Sequence, residues 1–185
     1  MSLLLKEQKE KLGLNKIADI EMPIVIPATD LKMNKEILFT NKKIKGKECI
    51  GDMEIAKAVR ASSSFPGMYT PFKYKEYQFV DGGISNNLPV KEVRETGVDK
   101  VIGVTFDVVP QRKNNTIYNV TMQAIDLMAQ NIIKDQRANS DYLLDIDLKG
   151  VRVFDVNKVE YCYEEGYKQA IKHMDEIKEA LKLNN

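Results

Sequence analysis

The chain has 185 residues, 43% of them hydrophobic, which is typical of one globular domain that buries its own core. Its 28 Lys and Arg residues nearly balance its 27 Asp and Glu residues, so the charge gives no reason to expect a nucleic-acid partner. Two distant cysteines and one histidine argue against a disulfide framework, a zinc site and a Ser-His-Asp triad, so we expect a reducing, cytoplasmic setting and no metal or cofactor.

The first half of the chain is predicted to alternate helices with short apolar strands. No run is long enough to span a membrane, so any membrane contact should be peripheral. The predicted elements are a helix over 3–12 ended by Gly13, strands over 22–30 and 36–40, a helix after an N-cap at Asp52 that ends before Pro66, and a strand over 77–80.

The second half continues the alternation with longer helices. The predicted elements are a short helix over 89–95, a buried strand over 100–107, an amphipathic helix over 116–138, a strand over 142–148 and one long C-terminal helix from 159 to 181. Alternation of this kind favours an α/β fold with a mostly parallel sheet flanked by helices, in a single domain over 1–185. Ligands gather at the carboxyl ends of parallel strands, and Asp30, Asp81 and Asp107 each end a predicted strand.

Asp81 opens the stretch "DGGISNNLP" and has two interpretations. An Asp-Gly pair after an alternating strand is commonly a turn. The same pair can also hold a catalytic carboxylate, because Gly82 and Gly83 permit positive φ and let a ligand approach the main chain. Asn87 is a candidate to brace this loop through its side chain.

Other polar residues are interpreted as structural. Asp30 suits a strand-end cap or turn former. The serines at 62–64 suit helix capping and a solvated loop, since none lies in a strand–Gly-x-Ser-x-Gly–helix context. His173 borders the apolar stripe of the last predicted helix, which favours a packed or half-exposed structural role.

The run "AVRASSSFPGMYTPF" (58–72), followed by "DGGISNNLP" (81–89), resembles the second signature of the patatin-like phospholipases. "PIVIPATDL" (23–31) and "VDKVIGVTFD" (98–107) resemble the strands on either side of it, so the resemblance spans about residues 14–107. It implies a Ser-Asp dyad with Asp81 as the general base, supported by Gly82, Gly83, Asn87 and Pro89. It also implies a phospholipid or acyl-ester substrate, and a mechanism that needs no histidine.

The nucleophile that the resemblance implies is missing, because none of the ten glycines flanks a serine as Gly-x-Ser-x-Gly. In the family this elbow and the oxyanion loop precede the strand that resembles 23–31. We therefore interpret the chain as the C-terminal part of a patatin-like domain, inactive alone. A fragment is preferred over a split gene product or a degenerate relative, and the alternative is a non-catalytic binding or interaction module.

A patatin-like domain without its N-terminal part should leave a strand edge unpaired and apolar surface exposed. We expect that surface to be covered by self-association or by pairing with a polypeptide that supplies the missing half.

Overall fold

The structure, a computed structural model, describes residues 15–107, 116–151 and 155–183. The helix predicted over 3–12 lies outside these residues. The strands are β1 Val25–Asp30, β2 Lys35–Thr40, β3 Glu48–Ile50, β4 Phe72–Tyr74, β5 Tyr77–Asp81, β6 Ile102–Asp107 and β7 Tyr142–Asp147. The helices are Ile55–Ser62, Val90–Arg94, Ile117–Arg137, Val159–Lys172 and Met174–Leu181, with 3-10 turns at Ile17–Asp19, Gly82–Ile84 and Val156–Lys158.

The larger sheet has five strands in the order β3-β2-β1-β5-β4 and is mostly antiparallel. Strand β1 pairs antiparallel with both β2 and β5, β4 pairs antiparallel with β5, and only β2–β3 is parallel. The α/β class is therefore confirmed, whereas the prediction of a mostly parallel sheet is wrong for these five strands.

Short connections explain why these strands run antiparallel. Four residues join β1 to β2, with Asn34 at φ 51°, and two residues join β4 to β5, with Lys75 at φ 50°. Connections this short can make hairpins but cannot cross over to a parallel neighbour. Consecutive residues of β2 and β5 are buried, so both faces of this sheet are covered and its strands are continuous apolar runs. Such runs are typical of parallel sheets, which is why the sequence suggested one.

One face of the five-stranded sheet packs against the helix Ile55–Ser62, which buries its small residues Ala58 and Ala61. Small side chains let the helix lie close to the strands. The cluster of fully buried residues in this layer is Ile17, Ala28, Ile37, Phe39, Met53, Ala58, Ala61 and Phe79. The rings of Phe39 and Phe79 meet edge to face, with centroids 5.1 Å apart.

A second, two-stranded sheet pairs β6 with β7 in parallel, and the helix Ile117–Arg137 lies between them in the chain. The crossover and the parallel pairing agree with the predicted α/β pattern. The Asp141 carboxylate ties this unit to the helix Val90–Arg94, because it accepts bonds from Arg94 Nη2 at 2.7 Å, Lys100 Nζ at 2.9 Å and the Val101 N–H at 2.9 Å. These donors hold the pKa of Asp141 well below its ordinary value.

Two local predictions need correction. The helix N-cap is Glu54 rather than Asp52, and no side chain caps it. The single helix predicted over 159–181 breaks at His173, whose ψ of 10° ends one helix and starts the next. No helix in the described ranges is long and apolar enough to cross a membrane.

Candidate functional site

Asp81 ends strand β5 and opens the 3-10 turn Gly82–Ile84. Its Oδ1 accepts the Gly83 N–H at 2.8 Å, so the carboxylate caps the turn that follows it. Its own N–H donates to the carbonyl of Ser64 at 3.1 Å, at the end of the helix Ile55–Ser62. The main chain on both sides of the carboxylate is therefore held by hydrogen bonds, which gives the side chain a defined position.

Gly82 is required by close packing rather than by an unusual backbone angle. A Cβ built at this position would lie 2.2 Å from the carbonyl oxygen of Pro27 on strand β1. Neither Gly82 nor Gly83 has positive φ, contrary to the reason that the sequence suggested for them. The turn after Asp81 crosses β1 so closely that a side chain at Gly82 has no room.

Partial burial changes the acidity of Asp81. Desolvation raises the pKa of this carboxyl above its ordinary value of 3.8, and the hydrogen bond from the Gly83 N–H opposes this only in part. A raised pKa makes the ionised carboxylate a better proton acceptor. Within the described residues no serine or histidine side chain donates a hydrogen bond to this carboxylate.

Sequence reasoning missed two hydroxyl groups at this turn, one bonded to the carbonyl of Asp81 and the other to the first hydroxyl. Thr29 Oγ1 donates to the Asp81 carbonyl oxygen at 3.2 Å and lies 2.8 Å from Ser85 Oγ. Thr29 sits on β1 opposite Val80, so sheet register brings it to the turn. Nothing in the linear sequence reveals this pairing, because the residues are more than fifty positions apart.

The buried amide that braces the loop belongs to Asn86, whereas Asn87 is exposed. Asn86 Nδ2 donates to Glu36 Oε1 at 2.6 Å, and Asn86 Oδ1 accepts from Gln136 Nε2 at 2.6 Å. Gln136 also accepts the Leu88 N–H through its Oε1 at 2.9 Å. This amide network, formed by Glu36, Asn86, Leu88 and Gln136, connects β2, the loop after Asp81 and the helix Ile117–Arg137. The Asn-Asn doublet was the only sequence signal for this network. The sequence pointed to Asn87, whose Oδ1 lies 3.0 Å from a Cβ built at Gly83, and its bracing role stays a prediction.

The remaining candidates take structural positions. Asp30 is fully buried and accepts the N–H groups of Gln78 at 2.7 Å and Met33 at 3.0 Å, which confirms its interpretation as a turn former. Asp30 and Asp81 do not meet at one sheet edge, because β1 and β5 run in opposite directions. Asp107 ends β6, and its side chain lies outside the described part of the structure.

The serines at 62–64 are not a nucleophile region. Ser64 is buried rather than solvated, and its Oγ donates to the Arg60 carbonyl at 2.8 Å in a helix-end bond. Ser63 makes the equivalent bond to Val59 at 2.8 Å. His173 lies at the junction of two helices with Nδ1 3.1 Å from Glu176 Oε2, as expected for a structural histidine.

Comparison with known proteins connects this turn to a family. Residues 5–94 match the model of the patatin-like phospholipases. Over 89 residues the chain is 33% identical to the "Probable lipid hydrolase 463L" of Invertebrate iridescent virus 6. That match covers 48% of this chain and 26% of the viral protein, so the chain corresponds to about a quarter of that relative.

Proposed function

We propose, from the match of residues 5–94 to the patatin-like phospholipase model, that this chain supplies the general base of a lipid acyl hydrolase. The observation that carries the proposal is the held carboxylate of Asp81, with its raised pKa and its braced turn. The viral relative is named as a lipid hydrolase, which agrees with an ester of a fatty acid as substrate.

The proposed chemistry uses Asp81 with a serine that lies outside this chain's residues. The carboxylate accepts the serine proton as the hydroxyl oxygen attacks the ester carbonyl, and the alcohol leaves with that proton. The resulting acyl-enzyme is then attacked by water, whose proton passes to Asp81 as the fatty acid is released and the serine recovers its hydrogen. Both half-reactions need one carboxylate that alternates between base and acid.

The geometry of Asp81 supports this role. Its Oδ1 is occupied by the Gly83 N–H, and within the described residues no donor reaches Oδ2. The second oxygen can therefore accept a proton while the first keeps the side chain in place. Partial burial strengthens an electrostatic interaction with an approaching hydroxyl, since solvent screening is reduced.

The same proposal requires a surface on which the serine-bearing polypeptide docks, and we propose strand β6 for it. Its residues Ile102, Val104 and Phe106 share one face and are 39% to 60% exposed, although they are apolar. Strand β7 pairs with one edge of β6, and no described strand pairs with the other. A two-stranded parallel sheet with an open apolar face is typical of an incomplete α/β unit.

We propose that a strand and helix of the complementary polypeptide cover β6, or that a second copy does so where that polypeptide is absent. The assembled enzyme would work in the cytoplasm, and its contact with membranes would be peripheral.

A direct test compares hydrolysis of a p-nitrophenyl ester by two preparations. The 185-residue chain alone should show no turnover, because it brings no activated serine. The longer protein, or the chain combined with a serine-bearing partner, should hydrolyse the ester, and Asp81→Asn should reduce kcat by at least about a thousandfold with the fold intact. Turnover by the isolated chain that Asp81→Asn abolishes would overturn the missing-nucleophile proposal.

One observation favours a second function, that of a non-catalytic binding module. The Asp81 carboxylate caps its own turn, which is a sufficient structural reason for an aspartate there. Asn at this position can still accept the Gly83 N–H, so Asp81→Asn separates the two functions. A serine-containing assembly that keeps its hydrolysis after this substitution would favour the binding module.

A further inference from the structure

An exposed apolar surface lies next to the Asp81 turn. It consists of Met68, Tyr69, Ile117 and Tyr118, which are between 38% and 89% exposed, and we call it the aromatic patch. Met68 and Tyr69 end a tight turn in which both of their N–H groups donate to the Phe65 carbonyl. Large apolar side chains that gather on a surface commonly mark a contact with another phase or molecule.

The two segments of the patch meet at Gly67. A Cβ built there would lie 2.8 Å from Met122 Cε and 3.4 Å from the Tyr118 ring. Gly67 also has φ +81°, which favours glycine. The turn that presents Tyr69 therefore rests on the helix that presents Tyr118.

The elements that carry the patch also contact the turn that holds the proposed base. The Asp81 N–H donates to the Ser64 carbonyl, one residue before the turn at Phe65. On the other side, the 3-10 turn Gly82–Ile84 packs against the helix Ile117–Arg137. The patch and the Asp81 turn are therefore connected through the same two elements, the segment after Ser64 and the helix Ile117–Arg137.

The segments that form the patch are free of acidic residues, although Glu54, Glu76 and Asp126 flank them. Residues 55–75 and 116–125 contain no acidic residue, and their basic residues are Lys57, Arg60, Lys73 and Lys75. Lys57 and Lys75 are paired with Glu54 and Asp52. Arg60 and Lys73 have no acidic partner among the described residues.

The Arg60 guanidinium lies 5.2 Å from the centre of the Tyr69 ring, so a cation stands at the border of the apolar surface. At a membrane surface, tyrosine places its ring among the acyl chains and its hydroxyl in water, while nearby cations bind anionic head groups. A surface that combines tyrosines with unpaired cations is therefore suited to such a boundary.

We propose that the aromatic patch docks the protein on an anionic phospholipid surface and so brings substrate esters to Asp81. The inference rests on the proposed lipid hydrolase function, but membrane docking itself needs neither the serine nor Asp81. A flat contact of this kind uses few residues, which suits reversible, peripheral binding.

The chain contains no tryptophan, so one introduced tryptophan can report on the patch without background. Tyr69→Trp is a conservative change at an exposed position. When vesicles of phosphatidylcholine with phosphatidylglycerol are added, its fluorescence should shift to the blue as the ring leaves water. Tyr163→Trp, on the exposed side of the helix Val159–Lys172, is the matched reporter and should not shift.

Vesicle sedimentation measures the contribution of each part. Tyr69→Ser combined with Tyr118→Ser should weaken binding at least tenfold, about 1.4 kcal/mol. Tyr163→Ser combined with Tyr167→Ser should leave it unchanged. Lys73→Glu should weaken binding to anionic vesicles more than to pure phosphatidylcholine, since the charge term is lost. Circular dichroism of each variant verifies that the fold is retained.

The outcomes separate docking from catalysis. Asp81→Asn should bind vesicles like the native chain, so a failure of the hydrolase proposal would leave a positive docking result intact. An unshifted Tyr69→Trp spectrum, or equal binding by the patch and control variants, would overturn the docking proposal. So would vesicle-free self-association that Tyr69→Ser and Tyr118→Ser together abolish, because the patch would then be a protein interface.

Discussion

At the scale of single residues, the Asp81 carboxylate is held in place by its own turn before any reacting group approaches it. Asp81 caps its own turn through Oδ1, its N–H donates to the Ser64 carbonyl, and its carbonyl accepts from Thr29 Oγ1. A residue held in this way loses little further freedom when it meets a reacting group, which is the benefit of preorganisation. Partial burial also removes water from the charge, which raises the pKa of Asp81.

The stability of the chain should depend on pH through Asp81. Burial raises its pKa above 3.8, so the folded state binds this proton more tightly than the unfolded state does. The resulting stabilisation is complete below the unfolded-state pKa and is lost as pH rises through the higher folded-state pKa. Urea unfolding across this range should show Asp81→Asn becoming more stable relative to the native chain as pH increases. The effect should be small, because the carboxyl keeps part of its hydration. A difference that is flat or falls with pH would contradict the raised pKa.

Sequence reasoning found the residues whose signal is local and missed those that depend on pairing. Asp81 and Gly82 stand out because an Asp-Gly-Gly turn can be read from three adjacent letters. Thr29 reaches the same turn only through the register of β1 with β5. Asn86 and Asn87 are identical in type, and only the path of the loop decides which one is buried.

At the scale of elements, the amide network joins segments that are far apart in the sequence. Asn86 connects Glu36 on strand β2 to Gln136 near the end of the helix Ile117–Arg137. Lys47 also contacts Glu36 and lies 3.3 Å from Glu92, so the carboxylates near this network are partly neutralised. Buried polar groups that are fully paired specify one arrangement of the elements they join.

Two adjacent asparagines allow a matched test of this network. Asn86→Ala should lower the free energy of unfolding by about 1–3 kcal/mol. The substitution removes the hydrogen bonds that Asn86 makes to Glu36 Oε1 and Gln136 Nε2, so both atoms lose their partner. Asn87→Ala removes an exposed amide from the next position and should change stability by no more than about 0.5 kcal/mol. Equilibrium urea unfolding measures both. Equal effects of the two substitutions would mean that the network does not hold the loop.

The types of most elements could be predicted, but the direction of the strands could not. Strands over 22–30, 36–40 and 77–80 and helices over 89–95 and 116–138 have their counterparts in the structure within a few residues. Strands β3 and β4 are three residues each and carry too little periodicity to be found. Antiparallel pairing follows from Asn34 and Lys75 in tight turns, a feature that apolar-run patterns do not record.

At the scale of the whole molecule, the two sheets are joined by packed helices, loops and polar links rather than by one continuous sheet. The amide network reaches the helix Ile117–Arg137 through Gln136. The Asp141 carboxylate, next to β7, bonds Arg94 of the helix Val90–Arg94. Only one face and one edge of β6 are covered within the described residues. The molecule as described therefore has a packed N-terminal layer and a C-terminal layer with an open side.

The open side of β6 should decide the association state of the chain. Exposed strand edges with apolar side chains pair with other chains unless they are covered or charged. We expect the chain alone to self-associate at micromolar concentration, and Val104→Lys to weaken that association at least about tenfold, since lysine at an edge opposes pairing. Leu127→Lys, at an exposed apolar position on the helix Ile117–Arg137, is the control and should leave association unchanged. Sedimentation velocity over a dilution series distinguishes these states. A native chain that stays monomeric throughout would show that β6 needs no cover, and loss of association in both variants would show that general hydrophobicity rather than the β6 face drives it.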